Sequence, residues 1–121
     1  MNVVDFGKNI SSTGTFPTAG VFVDSFDGRN TNNTGLLQCF QKSPGTGATG
    51  IIAVVFTVQG SVDGTNWGTL LTTTTATAPT TTADGGIFKA ISLAPYMRIQ
   101  VTTAPSATGG NPTTASFSLA W

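Results

Sequence analysis

The stretch from Ile51 to Leu71, IIAVVFTVQGSVDGTNWGTLL, most restricts what this chain can become. An apolar run rich in β-branched residues meets Asp63-Gly64 and resumes in a second, shorter run, the pattern of two antiparallel strands joined at Asp-Gly. Ile52, Val54, Phe56 and Val58 share one face at period two, while Ile51, Ala53 and Val55 give way to Thr57, Gln59 and Ser61 on the other. Such a strand belongs inside a sandwich, dry on one face and wetter toward the turn on the other. Asp63 and Gly64 are expected to shape this structural hairpin, the carboxylate by accepting turn N–H groups and the glycine by taking positive φ. Trp67 is expected to fill the core beside them.

The later segments repeat the theme. Leu36 to Gln41 and Ile87 to Leu93 are short strand patterns between Gly/Pro punctuation, and Tyr96 to Val101 places Met97, Ile99 and Val101 on a core face with Tyr96, Arg98 and Gln100 opposite. Ala115, Phe117, Leu119 and Trp121 alternate with Ser116, Ser118 and Ala120 as a closing strand. Thr72 to Ala83 is rich in Thr, interrupted by Pro79, and reads as an edge or a solvated extended loop. No segment carries apolar residues at i, i+3, i+4 and i+7 among helix formers. The expectation is an all-β fold, an antiparallel β-sandwich or jelly roll of about seven or eight strands. At 121 residues one core is expected.

Within that single core the patterning is uneven, so residues 1–35 are set apart as an N-terminal arm with edge strand(s), and residues 36–121 as the sandwich. Val3, Val4 and Phe6 form one apolar island, Phe16-Pro17 marks a bend, and Val21, Phe22 and Val23 form a second island. Of these, Val3, Val4, Phe6, Phe16, Val21 and Phe22 are the expected partner-binding set, an arm whose islands need a surface to cover.

Charge excludes several function classes. Charged residues make up 8% of the chain and cancel, with no His, against a usual share of about 25%. Five scattered cations form no stripe for phosphates, so no nucleic-acid partner is expected. Without His or Glu, general acid–base work would fall to dispersed Asp residues, and Ser-His-Asp and Cys-His mechanisms are ruled out. No catalytic, cofactor-binding or metal-ligating residues are assigned. Asp24, Asp27 and Asn30 lack the ligand order of an EF-hand, and Asp27-Gly28 reads as a turn. The apolar run Ile51 to Phe56 is far shorter than the ~20 residues of a membrane helix, the start lacks an export signal pattern, and Cys39 reads as a small buried hydrophobe. A nearly uncharged surface favours association with copies of itself or a larger assembly.

The stretch Val58-Gln59-Gly60-Ser61-Val62-Asp63-Gly64-Thr65-Asn66-Trp67, with the later Ala94-Pro95-Tyr96-Met97-Arg98-Ile99-Gln100-Val101, resembles a pattern of small β-sandwich virion proteins of tailed bacteriophages. Its Ser-x-Asp-Gly-x-x-Trp hairpin and Arg-containing strand are also similar to discoidin-like sandwiches, although no disulfide joins the ends here. The resemblance covers the C-terminal two thirds of the chain. It implies a capsid decoration (cement) protein that assembles in the host cytoplasm, binds the major capsid protein on the virion surface as a homo-oligomer, expected to be a trimer, and stabilises the shell. The alternative it leaves open is a tail- or fibre-associated carbohydrate-binding module using Trp67 or Tyr96.

Overall fold

The computed structural model describes residues 2–23 and 33–121, and every regular element in them is a strand. In chain order these are β1 (Val3–Ile10), β2 (Gly14–Phe22), β3 (Thr34–Gln41), β4 (Thr49–Ile52), β5 (Val55–Ser61), β6 (Gly68–Thr75), β7 (Gly85–Ser92), β8 (Tyr96–Thr103), β9 (Ser106–Thr108) and β10 (Ala115–Ala120). Two four-stranded antiparallel sheets run in the orders β1-β10-β3-β7 and β2-β8-β5-β6, and β4 pairs with β9 in a small separate ribbon.

The pairing is nested. Leaving the β4-β9 ribbon aside, the first strand pairs with the last (β1 with β10), the second with the one before it (β2 with β8), then β3 with β7, and the central β5 with β6. This is one long hairpin rolled into two sheets, the jelly-roll architecture. Its core forms where the inner faces meet: Leu37, Cys39, Ile91, Phe117 and Leu119 from one sheet pack against Phe56, Val58, Met97, Ile99 and Val101 from the other, all buried. Phe56 and Phe117 join the two layers, their rings meeting edge to face at 4.9 Å. Cys39 lies in this core, where burial pushes its thiol up to about 12, so it packs as a hydrophobe.

Among the described residues before β3, 2–23 form edge strands and no free arm. β1 and β2 are outer strands of the two sheets, Thr34 and Gly35 open β3, and Phe6 and Val23 are core residues. The reason their pattern was ambiguous is irregular pairing: β1 shifts register on β10 between Asp5 and Gly7 and again between Gly7 and Ile10, and β2 shifts on β8 between Phe16 and Val21. In β2 the shift brings Phe16 and Val21, an odd number of residues apart, to the core side, so no alternation is legible there. Phe26, Asp24, Asp27, Gly28 and Asn30 lie outside the described residues.

The central strand is also shorter than its apolar run. The chain leaves the ladder at Ala53, so that Val54, Phe56 and Val58 are buried while Ile52 is exposed in the β4-β9 ribbon. The break is held by Gln41, a residue with no exposed surface. Its amide Nε2 donates to the Ile52 carbonyl at 2.9 Å and to Thr113 Oγ1 at 3.3 Å, and its Oε1 accepts the Val54 N–H at 2.9 Å. One side chain thus satisfies both backbone groups flanking Ala53, which no strand partner reaches.

Substituting Gln41 by Leu leaves those buried groups unpaired. Gln41→Leu is expected to lower unfolding free energy by about 2–4 kcal/mol, read from the urea midpoint at unchanged m-value.

Candidate interaction faces

The rolled hairpin leaves two broad outer faces, and the exposed side chains that matter sit on them. On the β1-β10-β3-β7 sheet, cross-strand register sets a row Val3, Ala120, Leu36 and Ala90, beneath it Asp5, Ser118, Gln38 and Phe88, and then Ser116, Phe40 and Gly86. Val3 is 64% exposed, Phe88 61%, Leu36 47% and Phe40 39%. The strands β10, β3 and β7 pair without a register shift, so this face is regular across three strands. Charge lies only at its margins: Asp5, on the outer strand, is ion-paired to Lys8 at 3.4 Å, and Asp84 stands just before β7.

Between β3 and β7 this face dips into a shallow hollow of ≈ 330 Å³ bordered by Gln38, Phe40, Asp84, Gly86 and Phe88. Gly86 lets β7 lie close against β3 here. A Cβ there would lie 2.1 Å from the Cys39 carbonyl oxygen, and φ of +143° disfavours any side chain. Lys89, on the same strand, faces the core side opposite Leu37 and puts a charge on the sheet edge.

The outer face of the other sheet is polar and aromatic. Tyr96, Arg98 and Gln100 project from β8, opposite Ser61, Gln59 and Thr57 of β5. Trp67 lies on this face and not in the core: half-buried, it reaches across to β2, where a Cβ on Gly20 would sit 2.5 Å from its ring, and the Arg98 guanidinium stacks on it at 4.1 Å from the ring centroid. Sequence reasoning placed Trp67 inside because buried Trp is common; what it lacked was Gly20, a β2 residue whose missing side chain makes room for the indole. Tyr96 is likewise packed, edge-on to Phe22 at 5.5 Å and against Gly64.

Asp63 organises the connection between β5 and β6, a six-residue loop from Val62 to Trp67 in place of a two-residue Asp-Gly turn. Its Oδ1 accepts from Ser61 Oγ, the Thr65 N–H and the Asn66 N–H, each at 2.8 Å, and Oδ2 accepts from Asn66 Nδ2 at 2.8 Å. Those donors, led by the Asn66 backbone N–H, hold the carboxyl well below the usual carboxylate range. Gly64 at φ +75° completes the loop. With its oxygens so occupied, Asp63 is a loop clamp.

Of the six residues expected to bind a partner, Phe6 is buried and Val4, Phe16 and Val21 are half-buried. Val3 and Phe22 are exposed, Val3 on the apolar face and Phe22 on the polar one, so no contiguous patch unites the set. The patch that sequence reasoning missed, Leu36, Phe40 and Phe88, was hidden inside strand patterns whose two apolar sides gave no signal of which faced out. Among the described residues no group of three or more potential ligands could hold a metal ion, and no helix is long and apolar enough to cross a membrane.

These observations define an all-β antiparallel sandwich with jelly-roll strand order, carrying one apolar and one polar-aromatic outer face. No family model, curated protein or solved structure matches the chain.

Two predictions test this geometry. Gly20→Ala should displace the indole, lowering stability by about 1–3 kcal/mol and changing tryptophan fluorescence. Because the Asp63 pKa is depressed on folding, its stabilising effect is full above the ordinary carboxylate range and is lost as pH falls through that range toward the folded value. Asp63→Asn should therefore flatten the acid limb of the stability profile, followed by thermal melts from neutral to acid pH.

Proposed function

We propose that this chain is a structural assembly protein, a capsid decoration (cement) subunit of tailed-phage type that docks on a major capsid protein and stabilises the shell. The observation that carries this reading is the outer face of the β1-β10-β3-β7 sheet, where Val3, Leu36, Phe40 and Phe88 stand exposed with charge only at the margins, Asp5 paired with Lys8 and Asp84 beside the hollow. Exposed apolar patches of this kind on a folded domain mark interaction surfaces, and a regular sheet face suits a broad protein surface better than a small ligand. The resemblance of the hairpin and of the Tyr96 strand to phage virion sandwiches supports the same reading.

The size of the face bears on stoichiometry. Four strands ~4.8 Å apart and about six residues long at ~3.3 Å each project to about 400 Å², roughly half of what one partner contributes to a standard interface. A single copy would hold weakly. Several copies joined as a homo-oligomer, with a trimer as the expected count, would engage together and gain by effective concentration. In this reading the protein accumulates in the host cytoplasm and ends on the virion surface. Reaching by an N-terminal arm plays no part, since β1 and β2 are structural strands.

A carbohydrate-binding module resting on Trp67 or Tyr96 is less well supported. Both rings are already packed, Trp67 by Arg98 and Gly20, Tyr96 by Gly64 and Phe22.

The test is addition of purified protein to undecorated, expanded capsids of its source virus. Stoichiometric binding and a raised disruption temperature are expected, and Phe88→Glu combined with Leu36→Asp should weaken binding at least about tenfold, equal to about 1.4 kcal/mol, while the melting temperature of the free protein holds. Absence of binding to any such shell overturns the assignment; binding untouched by the double variant overturns the face.

A further inference from the structure

In the hollow between β3 and β7 a carboxylate meets two exposed rings. Register places Phe40 opposite Gly86 and Phe88 opposite Gln38, so the two phenylalanines stand diagonally across the strand pair, about 7 Å apart at their Cβ atoms. The ring pairs among the described residues are Phe22 with Tyr96 and Phe56 with Phe117, so Phe40 and Phe88 do not stack on each other. Gly86 puts no side chain between them, and a gap of ≈ 330 Å³ remains, bordered also by Gln38 and by exposed Asp84. The rim is held from behind. Thr77 and Gly86 exchange backbone hydrogen bonds at 3.1 and 3.0 Å, and Ser43 Oγ donates to the Thr80 carbonyl at 2.6 Å. Asp84 Oδ1 accepts the Ser43 N–H at 2.7 Å, which fixes the carboxylate and occupies that oxygen. Among the described residues no hydrogen bond or ion pair takes Oδ2. The other described aspartates are already committed, Asp5 to Lys8 and Asp63 to its loop. The hollow sits at the Gln41 end of β3, about 20 Å along the strand from the Thr34 end, which residues 24–32 join.

These neighbours set a condition on anything that docks here. A partner lying on the sheet face covers Asp84 with it, and a carboxylate taken out of water is costly unless a cation meets it. An aliphatic side chain in the gap would satisfy the rings and strand the charge. An ammonium would answer the charge, but it is compact and strongly hydrated. A guanidinium is planar and weakly hydrated, and it stacks on a ring face while its N–H groups reach a carboxylate oxygen.

We propose that the hollow receives an arginine side chain of the docking partner, its guanidinium lodged between Phe40 and Phe88 and donating to Asp84 Oδ2. The identity of that partner rests on the docking reading above. The arginine adds what an apolar face lacks, a directional polar contact that fixes where on the regular sheet the partner sits.

The experiment is a ¹H–¹⁵N titration of the full chain with a short acetylated arginine peptide amide, with the citrulline and lysine versions of the same peptide as separate arms. Citrulline keeps the shape of arginine and removes its charge. The expected result is shift changes at the Gln38, Phe40, Gly86 and Phe88 amides at millimolar arginine peptide, absent with citrulline and reduced by salt. Asp84→Asn keeps an oxygen for the Ser43 N–H, and Phe88→Ala alters an exposed ring. Each should weaken binding about two- to fivefold, the weight of one exposed charge pair or cation–π contact, at an unchanged melting temperature. On expanded capsids of the source virus, Asp84→Asn should weaken attachment by a similar factor. The proposal is overturned by absence of shifts with the arginine peptide, by equal binding of the citrulline or lysine peptide, or by capsid attachment that Asp84→Asn leaves unchanged. Failure of the unaltered protein to bind capsids overturns the docking reading instead, and the peptide arms then decide the hollow by themselves.

Discussion

The fold depends on pairing the two ends of the chain. Val3 to Ile10 closes on Ala115 to Ala120, and every other long-range pair lies nested inside that one. At the margin the backbone of Asn2 exchanges hydrogen bonds with Trp121, at 2.8 and 3.1 Å. Neither end strand is dispensable: without β1, the outer edge of β10 would be bare and Phe6 and Ile10 would be missing from the core. Contacts of such sequence separation cost loop-closure entropy before they return anything, so the jelly roll forms only when most of the chain is available.

That closure also creates the two surfaces on which the functional readings rest. Rolling a hairpin into two layers hides one face of each sheet and necessarily presents the other. On one sheet the presented face carries Leu36, Phe40 and Phe88 with almost no charge; on the other it carries Trp67, Arg98 and two glutamines. The low charge of the whole chain leaves the first face with few groups that must stay hydrated, which is what the proposed docking role requires. The second face carries a cation stacked on an indole and hydrogen-bonded to an amide, a different chemistry on the opposite side of a small domain.

Local exceptions to regular strand chemistry hold this arrangement in place. Gln41 sits in the core as a backbone substitute at Ala53, Gly20 yields its side-chain volume to Trp67, and Asp63 gathers a six-residue loop around one carboxylate. Each would look unremarkable in a composition table. Their roles follow from partners that lie 11 to 72 residues away or, for Asp63, in its own loop.

The sequence by itself determined the all-β class, the positions of β3, β7, β8 and β10, the core faces of Met97, Ile99 and Val101, and the loop-forming roles of Asp63 and Gly64. Those follow from period-two alternation and from side chains acting on backbone within three residues, both local in the chain. Tertiary structure alone decided which sheet each of β1 and β2 borders, that the central run breaks at Ala53, that Trp67 lies outside the core, and which apolar sides face water. The reason is the same in each case. Bulges erase the alternation that would announce a strand, and a strand apolar on both sides does not say which side is buried until its neighbours, distant in sequence, have taken their places.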